Sequence, residues 1–584
     1  MIRRLLAALL AVLPTITLAG DDPAVGPIES LLKKPGSELA TAVERFSADR
    51  FAVGRKYPVH LSPARRDRLR QFARAWRKRL EESDFDALSI EGKVDYLLLD
   101  GELKSDLARL DREERQAKGV AELIPFGEVV TAIVEARQRH EPVDPELAAE
   151  TLAKVKTQVA EARKAAESKK DGEAVPRHVA EHAATAVENL KSSLAQWFRH
   201  YDGYDPMFSW WMREPFRKLD GDLGSYATYL RESLAGRKGG DEIQGDPIGR
   251  EGLLEDLRAE MIPYSPEELL AIGEREFAWC EKEMIKASNE MGFGDNWKKA
   301  LEKVKTLHKK PGEQPGLVLE LAKEAIDFLE KNELVTIPEL AKTDWPLDMM
   351  SPERQKVNPF FLGGDRIIVS FPTDTMSLDD KLMSLRANNV HFSRATVHHE
   401  LIPGHHLQYF IGERYNKHRE PFHTPFWTEG WALYWEMLLW DKGFPKTPED
   451  RVGMLFWRMH RCARIVFSLK FHLGKMSPQE AIDFLVDKVG HERFSATGEV
   501  RRSFNGNYSP LYQAAYMLGG LQIRALHKDL VESGKMTDRQ FHDRILQAGG
   551  MPIEMVRVLL SNPNVKRDFA PGWKFAGEIE LKKD

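Results

Sequence analysis

Apolar residues recur at three- and four-residue spacing along most of the chain. In RRDRLRQFARAWRKRLEESDFDAL, Leu69, Phe72, Trp76 and Leu80 share one face with charges between them, which is the period of an amphipathic helix. Its basic run reads as a solvated face. DPELAAETLAKVKTQVAEARKAAESKK repeats the pattern, opened by Asp144 and Pro145, a helix-start signal. PRHVAEHAATAVENLKSSLAQWF follows the loop KKDGEAVP. Together these segments predict an antiparallel helical bundle over about the first 230 residues.

The pattern breaks at LAGRKGGDEIQGDPIGREG, rich in Gly and charge and poor in apolar residues, as a loop or domain boundary is. Helix restarts at YSPEELLAIGEREFAWCEKEM, with Ser265 as N-cap and Pro266 at the first helical position. The main strand candidate is DRIIVSF, Asp365–Phe371, between LGG and Pro372. Helix resumes at SLDDKLMSLRANN, where Ser377 caps and Asp380 stands three residues on. The expected fold is mainly α, helical and metallopeptidase-like, with a small sheet at 350–372 beside the active-site helix. The expected division is a signal segment at 1–19, an N-terminal helical region at 20–245 and a catalytic region at 246–584.

Composition narrows this. Hydrophobic residues make up 42% and charged residues 30% of the 584, with a formal net charge of -5, a globular mixture. The basic excess that nucleic acid demands is missing, so no nucleic-acid partner is expected. Arg3 and Arg4 precede LLAALLAVLPTITLA, and Thr17 and Ala19 fit the small positions before a cleavage point at Gly20. That is the layout of a secretory signal, which places the protein in the periplasm or outside the cell. Pro14 interrupts the run, which is shorter than the ~20 residues of a membrane span. It contains no Cys for lipid attachment, so no membrane anchor is expected after cleavage. Cys280 and Cys462 are the two cysteines, too few for a thiolate zinc site, and sequence does not say whether they pair.

The candidate chemistry lies in TVHHELIPGHHLQ, Thr396–Gln408, with four histidines and a glutamate within nine residues. Zinc hydrolysis needs two neutral imidazoles on one ion, an open position for water and a carboxylate beside it. A His-Glu-x-x-His helix supplies these, because residues four apart share a face. Here His399 and Glu400 begin that motif, but Pro403 stands where the second histidine belongs. On an unbroken helix His405 lies ~120° round from His399 and ~9 Å along the axis, and His406 ~10.5 Å along. Pro403 has no N–H for the carbonyl of His399, and Gly404 tolerates unusual backbone angles. A bulge or break there absorbs two residues and returns an imidazole to His399. Either His405 or His406 could be that imidazole, and His398 is a further candidate for a supporting or packing role.

A third ligand is needed. Glu429 sits in FWTEGWALYWEML among Trp431, Leu433, Tyr434 and Trp435, with Glu436 two turns on along the same face. A carboxylate in such surroundings needs a cation. The segment resembles the third-ligand helix of aminopeptidase-N-type zinc enzymes, with Thr428 and Trp431 replacing Asn and Phe. The chain more closely resembles the bacterial domain-of-unknown-function 885 family. That family carries His-Glu-x-x-Pro-Gly-His, then Glu-Gly-Trp-Ala-x-Tyr, then Gln-Ala-x-x-Tyr. These are His399 to His405, Glu429 to Tyr434 and Gln513 to Tyr516 in this chain. The likeness covers roughly Gly249 to the C-terminus and, more weakly, the N-terminal helices.

The resemblance implies Zn2+ held by His399, His405 and Glu429, with Glu400 as general base. It also implies Tyr516 as donor to an oxyanion, by analogy with aminopeptidase-N-type enzymes. Arg501 and Arg502 stand near that tyrosine as candidates to hold a substrate carboxylate, and Gln513 as a further candidate to hold substrate. The expected activity is zinc-dependent hydrolysis of short peptides. The rivals are hydrolysis of other amides or esters, a periplasmic binding protein without turnover, and iron or copper in place of zinc.

Overall fold

At several places in this chain a Ser, Thr or Asp followed by Pro starts a helix. Helices open at Pro63, Pro206, Pro266, Pro352, Pro425, Pro448 and Pro478, each preceded by a side chain that accepts from a first-turn N–H. The cap satisfies an orphan donor and Pro fills a position whose N–H is not needed. At Ser265 and Glu268 the bonds are reciprocal, and Ser377 accepts from Asp380 N as expected.

The computed structural model describes residues 36–168, 175–237, 243, 245–579 and 581. The expected signal segment at 1–19 lies outside the described residues. The fold is mainly α. Helices predicted from the N-terminal pattern run Pro63–Glu81, Pro145–Ser168 and Arg177–Tyr201. The sheet has two short strands, β1 (Leu347–Met349) and β2 (Ile367–Val369), paired in parallel with Leu347 opposite Ile367. Leu362 bridges Ile368 from the other side. The strand expected at Asp365–Phe371 is thus trimmed to three residues, and its partner begins just upstream of residue 350. Among the described residues, no helix is long and apolar enough to cross a membrane.

Burial organises these elements into cores. One joins the helices around Leu152, Val187, Trp197, Phe208 and Leu223. A larger one runs from Val43, Phe46 and Leu98 through Leu253 and Ile272 into the C-terminal half. The first helices therefore pack against the C-terminal elements. Asp95 fixes that contact: it lies 2.7 Å from both His418 Nε2 and Arg419 Nε. A third, small core places Ile367 and Val369 of the sheet against Val397 and Leu401, so the strand backs the histidine segment.

Six helices build the region around that segment: α1 (Val390–Glu400), α2 (His405–Gly412), α3 (Pro425–Asp441), α4 (Pro448–His472), α5 (Arg493–Phe504) and α6 (Tyr512–His527). Asn389 caps α1 by accepting from His391 and Phe392 N–H. Phe392 then stacks on Phe456 of α4 at 4.0 Å. Helices α3 and α6 approach closely because glycines face one another: a Cβ at Gly519 would collide with Phe426 O and Gly430 Cα.

Candidate metal centre

The helix ends at Glu400 and restarts at His405, with the Ile402–Pro403 peptide cis between them. Gly404 N–H donates to His398 O at 3.0 Å. A Cβ on Gly404 would run into the carbonyl of His399, so glycine lets the second segment fold back this tightly. Trp431 of α3 closes the break from below, its indole N–H donating to Pro403 O at 2.8 Å. The break returns His405, not His406, to His399: their rings lie 4.9 Å apart at right angles.

His399, His405 and Glu429 offer ligand atoms that all lie within 4.8 Å of one another, and all three residues are buried. Glu429 Oε2 is 3.1 Å from His405 Nε2 and 3.7 Å from His399 Nε2. Tetrahedral zinc with ~2.1 Å bonds separates its ligands by ~3.4 Å, so this nitrogen, nitrogen and oxygen set fits such an ion. The other ring nitrogen of His399 lies 2.7 Å from Glu436 Oε1. With Nδ1 donating there, Nε2 presents its lone pair to the centre. Burial alone would lower the pKa of His399, but the carboxylates of Glu429 and Glu436 raise it to about 9. The same field favours a metal cation. Burial would push Glu429 upward, yet His405 and His399 hold it well below the ordinary carboxylate range.

Glu400 stands beside this cluster. Burial raises its pKa against the pull of His399 and His405, the direction that suits a proton acceptor and donor near neutrality. The loop before β2 runs close over it, since a Cβ on Gly363 would strike Glu400. His399, Glu400, His405 and Glu429 line a cavity of about 250 Å³.

The remaining candidates divide by location. His406 is turned away, with Nδ1 3.1 Å from Gly364 O and Nε2 3.0 Å from Ala341 O. His398 packs edge-on to Phe444 with neither ring nitrogen partnered. Burial drops its pKa to about 4, so it is a neutral core residue. Tyr516 lines the cavity, its ring 6.1 Å from that of His399 and nearly parallel. Arg502 lines it too, donating to Tyr508 Oη at 3.2 Å. Arg501 lies more outward, donating to Lys356 O at 3.3 Å. Gln513 is 2% exposed and its amide atoms find no partner; it is not part of the cavity wall.

Three groups carried no role in the sequence. Tyr512 donates its hydroxyl to Glu429 Oε1, leaving Oε2 toward the imidazoles. Glu436 backs His399, and Arg461 of α4 stands 3.5 Å from Glu436. Glu436 had a signal, two turns beyond Glu429 on the same face. Tyr512 and Arg461 had none.

The chain matches the model of a family described as bacterial protein of unknown function (DUF885) over residues 50–560. No curated protein matches it. Its fold is similar to the solved structure of a "putative lipoprotein of unknown function" from Shewanella oneidensis. That match has a TM-score of 0.65 and 17% identity, covering 90% of this chain and 100% of the other. A "putative lipoprotein" from Colwellia psychrerythraea matches at a TM-score of 0.56 and 16% identity, covering 90% of this chain and 98% of the other. The chain belongs to the DUF885 family.

Proposed function

We propose that this member of the DUF885 family is an exported zinc-dependent hydrolase, a metallopeptidase that cuts short peptides. The observation that carries the reading is the convergence of His399, His405 and Glu429 at one point, with Glu400 beside them on a cavity wall. A structural role alone would not call for two imidazoles and a carboxylate aimed together next to a second buried carboxylate. Export is supported by the apolar run ending at Ala19 and by the lipoprotein descriptions of the two similar structures.

His399, His405 and Glu429 would hold a zinc ion, which would supply a Lewis acid to activate water and polarise a carbonyl. The protein does the rest. Glu436 holds His399 in the tautomer that leaves Nε2 free, and Tyr512 orients Glu429. Glu400 accepts the proton of the attacking water and returns it to the leaving nitrogen. Tyr516, whose phenol burial keeps protonated, offers an O–H to the oxyanion. The cavity volume suits a few residues of peptide more than a folded chain.

The test is metal analysis of purified protein joined to Glu400→Gln. The expected result is one zinc per chain in both proteins and loss of roughly 10²–10⁴-fold in turnover of short peptides in the variant. Absence of metal, or undiminished turnover, rejects the reading.

A further inference from the structure

The cavity lining also carries three buried guanidiniums. Arg461 and Arg464 come from α4 and Arg502 from α5, and each lines the cavity while being 6%, 1% and 6% exposed. Buried charges need partners. Glu499 serves two of them, at 2.6 Å from Arg464 Nε and 3.9 Å from Arg502 Nη1. Among the described residues, the carboxylate paired with Arg461 is Glu436 at 3.5 Å, which is already committed to His399. Among the described residues, Arg461 Nε, Arg464 Nη1 and Arg502 Nε find no acceptor. Three cations therefore share two carboxylates, and donors are left over.

We propose that Arg461, Arg464 and Arg502 form a carboxylate subsite. It receives the free C-terminal carboxylate of a short peptide whose scissile carbonyl lies at the metal centre. This rests on the hydrolase reading above. The planar fork of arginine matches a carboxylate with two parallel bonds, and a buried cluster would favour the anion without solvent competition.

Position supports the assignment. Tyr516 neighbours both sites, with its ring 6.1 Å from that of His399 and 4.2 Å from the Arg464 guanidinium. Arg461 also lies over that ring at 4.8 Å. An extended residue spans about 3.3–3.6 Å. The terminal carboxylate therefore sits within about three residues of the bond to be cut, and Tyr516 faces its carbonyl. The activity implied is removal of a short C-terminal fragment.

Binding measured by calorimetry on Glu400→Gln protein separates this from catalysis. The probes are N-acetyl-trialanine, its C-terminal amide, and the same amide with Glu as the last residue. The free acid is expected to bind at least tenfold more tightly than either amide. Arg464→Lys is expected to cut that preference below threefold. Equal binding of acid and alanine amide overturns the subsite. A Glu amide that binds as well as the acid overturns the terminal assignment and gives the site to an acidic side chain. Repetition on metal-free protein checks that the carboxylate is not simply held by zinc: a preference that vanishes there also overturns the proposal. The acid–amide comparison needs no arginine variant, so a misfolded mutant cannot mask the answer. Failure of the hydrolase reading appears separately, as missing zinc or undiminished turnover in Glu400→Gln.

Discussion

His399 Nδ1 lies 2.7 Å from Glu436 Oε1, with both residues buried on neighbouring helices. This bond decides which face of the imidazole is free. Replacing Glu436 with Gln leaves an acceptor but removes the charge behind the ring. Partners of this kind contribute about 10–100-fold to metal affinity. Glu436→Gln is expected to weaken zinc binding by about that factor in chelator competition, while circular dichroism stays native. An unchanged affinity would show that the contact is structural.

His405 and His406 separate two roles that adjacent positions conceal. His405 faces Glu429 at 3.1 Å, whereas His406 links the carbonyls of Gly364 and Ala341. His405→Gln is expected to abolish stoichiometric zinc with little effect on the melting temperature when metal-free proteins are compared. His406→Gln is expected to keep zinc and to destabilise the fold by about 1–3 kcal/mol, because a buried carbonyl loses its donor. Metal content and thermal melts of the two variants check this. The reverse pattern would exchange the assignments.

How far the sequence reached follows from the range of each interaction. The helix caps were readable because Ser, Thr or Asp before Pro acts within one turn, as at Ser265 and Pro266. The cluster of His399, His405 and Glu429 was readable because Pro403 and Gly404 flagged the break and Glu429 was an acid among aromatics. His405 could be preferred to His406 only through the family motif, since the choice depends on how the chain crosses Leu401–Gly404. Trp431 stood in the sequence as an aromatic neighbour of Glu429, but its N–H holds Pro403 O across 28 positions. Arg461 and Arg464 sit in a helix whose pattern alternates Arg with apolar residues. Nothing local marks them as cavity-facing, because what turns them inward is the packing of α4 against α1 and α6.

Gly519 tests the seam that brings Tyr512 to Glu429. A Cβ there meets backbone atoms of Phe426 and Gly430, which cannot rotate away as a side chain could. Overpacking of this kind costs about 1–3 kcal/mol. Gly519→Ala is expected to lower stability by that amount in urea melts and also to weaken zinc binding, because α6 moves relative to α3. Gly534, with open space around it, is not a matched control because its φ is +78°. Gly221, helical and equally open, is: Gly221→Ala is expected to be neutral or slightly stabilising. Equal tolerance at both sites would mean that the seam yields.

Asp95 tests the junction between the first helices and the turn leading to Glu429. It is fully buried. Burial would raise its pKa, but the hydrogen bond to His418 and the charge of Arg419 lower it below the usual aspartate value. A carboxylate whose folded pKa is depressed contributes stability that is complete above its unfolded pKa, about 3.9. That contribution is lost as pH falls through the lower folded value. Asp95→Asn leaves Arg419 buried with a weaker partner, so a loss of about 3–5 kcal/mol is expected at pH 7. The gap between wild type and variant should hold from pH 7 to about 5 and narrow below about 4, as the wild type gives up the same interaction. Urea melts of both proteins across that range measure the difference directly, and titrating groups remote from Asp95 cancel in the subtraction. A gap that does not change with pH would mean that the loss comes from packing and not from the charge on Asp95.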